Sequence, residues 1–426
     1  MRILITGTTG NSMPPPYAGV PKLILATARL WREAGHDIGI TFTYQPKNPD
    51  DLGAKATYFF EYEKRPGKVA KALFLARYFL TNPTLYVSLL KAYRAICPHV
   101  SRENYLYAAY GVYLDGVYAR FKPDIILGEA VLVKSFMAAE IANRRGIPIV
   151  FDVYAEVRDL SMGENRHLNE DERKRYWVGF LNKASLVLGM DNCSVEMRAY
   201  LPEGKLKEFW DTGDYEFYSQ PVSETREELR KHFNLPEKTF LVSAVGSFEL
   251  RKGHDHLLVA VAQLAKEGYD VGVVICGSQG GNAKWKKIAE EEGIADRAFF
   301  FSSISEHELV KLHHATDLYT NLSNTQRCCG FDLALAEAMA TGLPVVVYDN
   351  GALKKVVPEG KNGYVVPMND LPAVREAILK VYHASLEERK EMGRRSAEFA
   401  ATIDLRKTTA IKLGWFTDLV EGRLHA

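Results

Sequence analysis

The 426-residue chain has little from which a covalent or metal framework could be built. It has five cysteines, Cys97, Cys193, Cys276, Cys328 and Cys329, an odd number with no C-x-x-C spacing. That excludes a disulfide scaffold and a cysteine zinc site, and a reducing, cytoplasmic setting is expected. Charge of one sign is also lacking: 54 Lys plus Arg face 53 Asp plus Glu, for a net charge of +1. Broad nucleic-acid binding is therefore not expected. Long apolar runs are missing too, because Arg77 and Lys91 interrupt the most apolar region. No membrane-spanning helix is predicted, and MRILITG reads as a strand rather than a signal peptide.

Strands and helices alternate along the chain. RILITG, HDIGITFTY, PDIILGE, PIVFDVY, ASLVLGM and LKEFWDT read as strands, with helices over Val20 to Ala34 and Leu132 to Arg145 and further helical material between HDIGITFTY and PDIILGE. After the polar stretch TGDYEFYSQPVSE the pattern restarts: FLVSAVGS, a helix from His254 to Lys266, DVGVVICG, AFFFSSI, DLYTNLS, LPVVVYD and NGYVVP. This pattern predicts two Rossmann-like α/β domains, 1–215 and 216–404, followed by a helix within 405–426 that could pack back on the first domain. Open parallel sheets bind ligands beyond the carboxyl ends of their strands, so two such domains facing each other make a central cleft.

The loops after the strands carry the chemistry. Arg251 and Lys252 precede Gly253 and a helix start, a placement suited to gripping a diphosphate. Backbone groups at Ser303 and Ile304, after AFFF, are candidates for holding a base. In CCGFDLALAEAMATGLPVV, Gly330 opens the way to unpaired amides at a helix start, Gly342 is a terminator, and Glu337 lies two turns inside the helix. A carboxylate there is costly unless partnered, and a pair of sugar hydroxyls would supply partners. The N-terminal loop TGTTGNSMPPPYAGVPKL holds Gly7, Gly10 and Gly19. It approaches the TGxxGxxG of short-chain dehydrogenases, but Met13 follows where a third glycine is required, and the NAD reading is set aside.

VGSFELRKGHDHLLVA, DVGVVICGSQGG, ISEHELVKLHHATDLY, GFDLALAEAMATGLPVVV and KNGYVVP together resemble the nucleotide-sugar domain of retaining GT-B glycosyltransferases of family 4. The likeness runs from Phe240 to Met368, with weaker matches in AGVPKLILATARLWREAGHDI and PDIILGEA. It implies a GT-B fold, a nucleotide diphosphate sugar as donor substrate with no cofactor and no metal, and a glycan or lipid-linked acceptor. By position, the resemblance gives Glu337 the ribose, Lys252 the diphosphate, the amides of Phe331, Asp332 and Leu333 the sugar or phosphate, and Gly19 the phosphates from above. Gly246 and Ser247 fall in the donor loop.

Three positions depart from the family pattern: Cys329 stands at its first Glu, Ser247 at its Arg and Tyr154 at its His. Asp332, Arg251 and Glu156 are nearby candidates to compensate. Losing one preorganised charge-stabilising contact costs on the order of 3 kcal/mol. A rival reading is therefore a catalytically weak GT-B protein that binds a nucleotide sugar or a partner glycosyltransferase.

One segment breaks the charge balance. From Lys64 to Arg102 there is no acidic residue, while Lys64, Arg65, Lys68, Lys71, Arg77, Lys91, Arg94 and Arg102 alternate with Phe74, Tyr78, Phe79, Tyr86 and Tyr93. Residues 64–102 are a candidate contact for an anionic membrane surface, peripheral at the inner face.

Overall fold

The computed structural model describes residues 1–8, 19–46, 52–97, 102–129, 133–153, 169–189, 197–210, 213–277, 281–302, 304–324, 332–358 and 360–424. The chain divides into two compact units, residues 1–210 with 408–426, and residues 211–407.

The first unit is built on seven parallel strands, β1 (Arg2–Thr8), β2 (Asp37–Tyr44), β3 (Thr57–Tyr62), β4 (Ile125–Glu129), β5 (Ile149–Val153), β6 (Leu186–Gly189) and β7 (Leu206–Glu208). Their order is β3-β2-β1-β4-β5-β6-β7. Strands β4 to β6 are buried along their whole length, as expected of a sheet covered on both faces. The sequence reading placed only helical material between β2 and β4, and β3 corrects it. TYFFEY is an edge strand with no fully buried residue, so it lacks the aliphatic run that announces a central strand. Three helices, Lys68–Thr81, Pro83–Ile96 and Arg102–Phe121, follow it.

The second unit holds β8 (Phe240–Val245), β9 (Val271–Gly277), β10 (Ala298–Ser302), β11 (Leu318–Asn321), β12 (Val345–Tyr348) and β13 (Gly363–Val366), all parallel, in the order β10-β9-β8-β11-β12-β13. Alternate residues feed two cores. Val242, Ala244, Val273 and Ile275 meet Leu257, Leu258, Val261 and Leu264 of the His254–Lys266 helix, while Leu241, Val274 and Cys276 face Leu312 on the other side. Period-two alternation on strands buried on both faces produces this three-layer stack. The strand order reverses between β8 and β11, which makes that gap the topological switch point.

The Leu405–Val420 helix carries the chain from the second unit into the first. There its Phe416 ring packs 5.4 Å from Trp31, Trp415 packs 5.5 Å from Phe209, and the Trp31 indole donates to the Thr409 carbonyl at 3.1 Å. Lys412 forms a fully buried ion pair with Asp152 on β5 and lies over the Phe209 ring. Removing one partner of a buried pair leaves a charge without its counter-ion, whereas replacing both by apolar groups is far milder. Lys412→Ala should therefore lower stability by about 3–5 kcal/mol. Urea denaturation should show most of that loss recovered in a Lys412→Met/Asp152→Leu double variant.

Candidate active site

The turn after β8 begins at Gly246, whose amide donates to the Cys276 carbonyl of β9 at 2.9 Å. A Cβ at Gly277 would run into the Gly246 carbonyl oxygen, so the two strand ends meet backbone to backbone. The turn passes through a 3-10 segment, Leu250–Lys252, to Gly253, which has φ +67°. A Cβ at Gly253 would enter the Leu322 carbonyl oxygen just beyond β11. Glycine is required there for both the left-handed backbone and the close approach. The turn after β8 is thereby seated on the turn after β11, across the switch point.

This seating directs Lys252. Its aliphatic stem runs 3.3 to 3.5 Å from where a Gly246 side chain would begin, and its Nζ donates to Asp332 Oδ2 at 2.6 Å. Asp332 caps the Leu333–Ala340 helix, Oδ1 accepting from the Ala334 amide at 3.3 Å. Burial raises the Asp332 pKa, but the Lys252 charge, the Lys252 hydrogen bond, the Ala334 amide and the Asn321 side chain together hold it below the ordinary carboxylate value. The pair is neither sealed nor fully exposed, with side-chain exposures of 17% and 21%.

Glu337 lies five residues further along the same helix and is 5% exposed. Gly213 packs against it, since a Cβ on Gly213 would stand 3.4 Å from the Glu337 Cγ. Burial and then the Glu337 charge push the Cys276 thiol up to about 12. Burial, followed by the charges of Asp332 and Glu337, holds the Tyr319 phenol well above its usual range. Beyond Ala340 the helix ends at Gly342, φ +81°, whose amide donates to Met339 O at 3.0 Å, so the terminator is seen in that role.

His254 anchors the loop from behind. Its Nε2 lies 3.2 Å from the Ser247 carbonyl, an acceptor only, so the proton sits on Nε2. The ring is buried against Phe248 and Trp285, and burial, only partly offset by hydrogen bonds to backbone carbonyls, lowers its pKa to about 4.

Lys252, Asp332, Leu333, Glu337, Gly246 and Ser247 thus gather around the switch point. Arg251 is more exposed, its guanidinium paired with Glu249. Ile304 packs, partly buried, against the apolar cluster that contains Phe233, Cys276 and Leu312. Gly19 opens the Gly19–Glu33 helix of the first unit. Tyr154, Glu156, Ser303, Cys329, Gly330 and Phe331 lie outside the described residues. Sequence reasoning missed His254, Gly277 and Gly213 as parts of the site. The K-G-H spelling after a buried strand offered a signal for the first, and nothing in the sequence links Gly213 to Glu337.

The first unit has a polar cluster of its own near the carboxyl ends of its strands. Lys134 pairs with Glu61 of β3, whose side chain is 6% exposed, donates to Thr43 of β2 at 3.0 Å, and lies 4.7 Å from the Tyr110 ring centre. Tyr110 shares a 2.8 Å hydrogen bond with Thr6 of β1, and Thr41 donates to Thr6 at 3.1 Å. Burial raises the Glu61 pKa more than Lys134 and Thr43 lower it.

Residues 225–399 match the family model described as glycosyl transferases group 1. That stretch of the chain is similar to group 1 glycosyl transferases. The matched stretch lies within the second unit and contains Gly246, Lys252, Asp332 and Glu337. The chain is 31% identical over 172 residues to a D-inositol 3-phosphate glycosyltransferase of Corynebacterium urealyticum, covering 39% of this chain and 40% of that one. It is 28% identical over 187 residues to a GDP-mannose-dependent alpha-(1-6)-phosphatidylinositol monomannoside mannosyltransferase of Mycobacterium tuberculosis, covering 43% and 46%. The chain thus matches less than half the length of these curated relatives. Among solved structures, a glycosyltransferase from Rickettsia africae aligns with TM-score 0.73 at 11% identity over 98% of both chains. HepE from Anabaena, solved with UDP and glucose, aligns with TM-score 0.71 at 16% identity over 98% of this chain and 100% of that one. The fold is GT-B.

The His254 anchor in this domain gives a pH dependence. Its folded pKa of about 4 lies below the ordinary 6.5, so the neutral ring stabilises the fold. That contribution is complete above pH 6.5 and is lost as pH falls from 6.5 toward 4. Denaturation at about pH 7 and about pH 5 should show a loss of about 2 kcal/mol from this group, absent in His254→Gln.

Proposed function

We propose that the protein is a retaining, metal-independent glycosyltransferase that moves a sugar from a nucleotide diphosphate donor to a hydroxyl of a glycan or lipid-linked acceptor. The observation that carries this reading is the Lys252–Asp332 pair beside buried Glu337 at the switch point of the second sheet. The curated relatives, named as transferases of sugars to inositol-containing acceptors, support it.

In this reading the bond from the sugar C1 to the diphosphate breaks with its electron pair passing to the diphosphate. The acceptor hydroxyl oxygen bonds to C1, and its proton leaves on a phosphate oxygen. Negative charge grows on the leaving group, and a preorganised cation aimed there stabilises the transition state more than the ground state. Lys252 is that cation. Asp332 positions it, because two of the carboxylate's acceptor sites are already committed to Lys252 and the Ala334 amide. Asp332 therefore serves the sugar mainly through Lys252. Glu337 accepts from the ribose hydroxyls, and the start of the Leu333–Ala340 helix adds its dipole. Lys134, Glu61 and Thr43 are the groups of the first unit best suited to acceptor hydroxyls.

Transfer of radiolabelled sugar from a panel of nucleotide sugars tests the reading, with the product's anomeric configuration read by NMR. Lys252→Ala should lower kcat about a hundredfold. Glu337→Ala should act chiefly through a higher donor KM, and the product should keep the donor's configuration. Tight donor binding with no turnover on any acceptor, or an inverted product, would contradict the proposal.

A further inference from the structure

The Lys68–Thr81 helix has one apolar face for the core and another that no described residue covers. Its inward face is Phe74 and Tyr78, whose rings lie 4.6 Å apart. They pack on Tyr62 at 4.9 Å and Tyr113 at 5.7 Å. Yet Val69, Leu73 and Leu80 are 73%, 66% and 75% exposed. At roughly 100° per residue, Val69, Leu73, Ala76 and Leu80 fall within an arc of about 60°, facing away from Phe74 and Tyr78. Phe79, also exposed, extends this stripe, and Val87 exposes a further apolar side chain on the next helix.

Cations border the stripe. Lys68 lies on one side of it and Arg77 on the other, with Lys64 and Arg65 just before the helix. Among the described residues, Lys64, Arg65, Lys68, Lys71, Arg77 and Lys91 make no ion pair, in a chain whose other surface charges are widely paired. Exposed apolar side chains cost free energy in water, and a contiguous row of them bordered by unpaired cations has a matching partner in a bilayer surface. The row enters the boundary between headgroups and acyl chains, and the cations meet anionic headgroups. An acidic protein partner would satisfy the charges, but it would leave an apolar ridge on a convex helix without a groove to receive it.

We infer that the Lys68–Thr81 helix docks the protein onto anionic phospholipid bilayers, with Val69, Leu73 and Leu80 inserted and Lys68 and Arg77 at the headgroups. The inference does not depend on which sugar or acceptor the site takes. Cosedimentation of the full chain with phosphatidylcholine vesicles, with and without phosphatidylglycerol, tests it. Binding is expected only with phosphatidylglycerol, and it should weaken as salt is raised. Leu73→Glu/Leu80→Glu and Lys68→Glu/Arg77→Glu should each weaken it by roughly tenfold or more, with the circular dichroism spectrum and Tm unchanged. Absence of phosphatidylglycerol-dependent binding, or equal binding by both variants, would overturn the assignment. So would a wild-type dimer that the leucine variant converts to monomer, because the stripe would then be a contact between copies of this chain.

Discussion

The second unit depends on one close approach, the Gly253 backbone against the Leu322 carbonyl oxygen. With a side chain at Gly253, the turn after β8 would have to lift away from the turn after β11. Lys252 would then lose its position, since its stem is guided by Gly246 and its head by Asp332 on the far side of the switch point. His254 sets the same turn from inside by holding the Ser247 carbonyl. Glycine, lysine and histidine in adjacent positions thus divide the work: backbone proximity, charge, and an internal tether.

Electrostatics explains why the charge sits where it does. A lysine free in solution pays rotamer entropy to meet a phosphate, whereas Lys252 is already fixed by a carboxylate. Asp332 keeps its charge despite burial because Lys252 and an amide outweigh the desolvation. Arg251, by contrast, is tied to Glu249 and more exposed, so it would have to exchange partners before helping. Of the two adjacent cations, Lys252 is the one the fold has preorganised.

How much of this was legible depended on what each residue's pattern encodes. The runs IILGE, IVFDV, VGVVICG and VVVY are buried from end to end, and uninterrupted aliphatic sequence marks such strands clearly. TYFFEY was missed because an edge strand buries too little to carry that mark. Lys252 and Glu337 stand out in the sequence through their spacing from strand ends and a helix start. Asp332 was noticed, but its work as helix cap and Lys252 partner rests on contacts 80 residues apart in the chain. Gly213 against Glu337 is longer range still, and local patterning holds no trace of it. The exposed face of Lys68–Thr81 was half legible. The missing acids showed in the sequence, but the burial of Phe74 and exposure of Leu73 did not.

The account's central claim is that Lys252, fixed by Asp332, grips a nucleotide diphosphate at the switch point. Isothermal titration of the wild-type protein and Lys252→Ala with UDP, GDP and ADP and with the matching monophosphates measures this directly. The account predicts that one diphosphate binds selectively and more tightly than its monophosphate, and that Lys252→Ala abolishes most of that difference. Equal binding of diphosphate and monophosphate, or a difference untouched by Lys252→Ala, would contradict it.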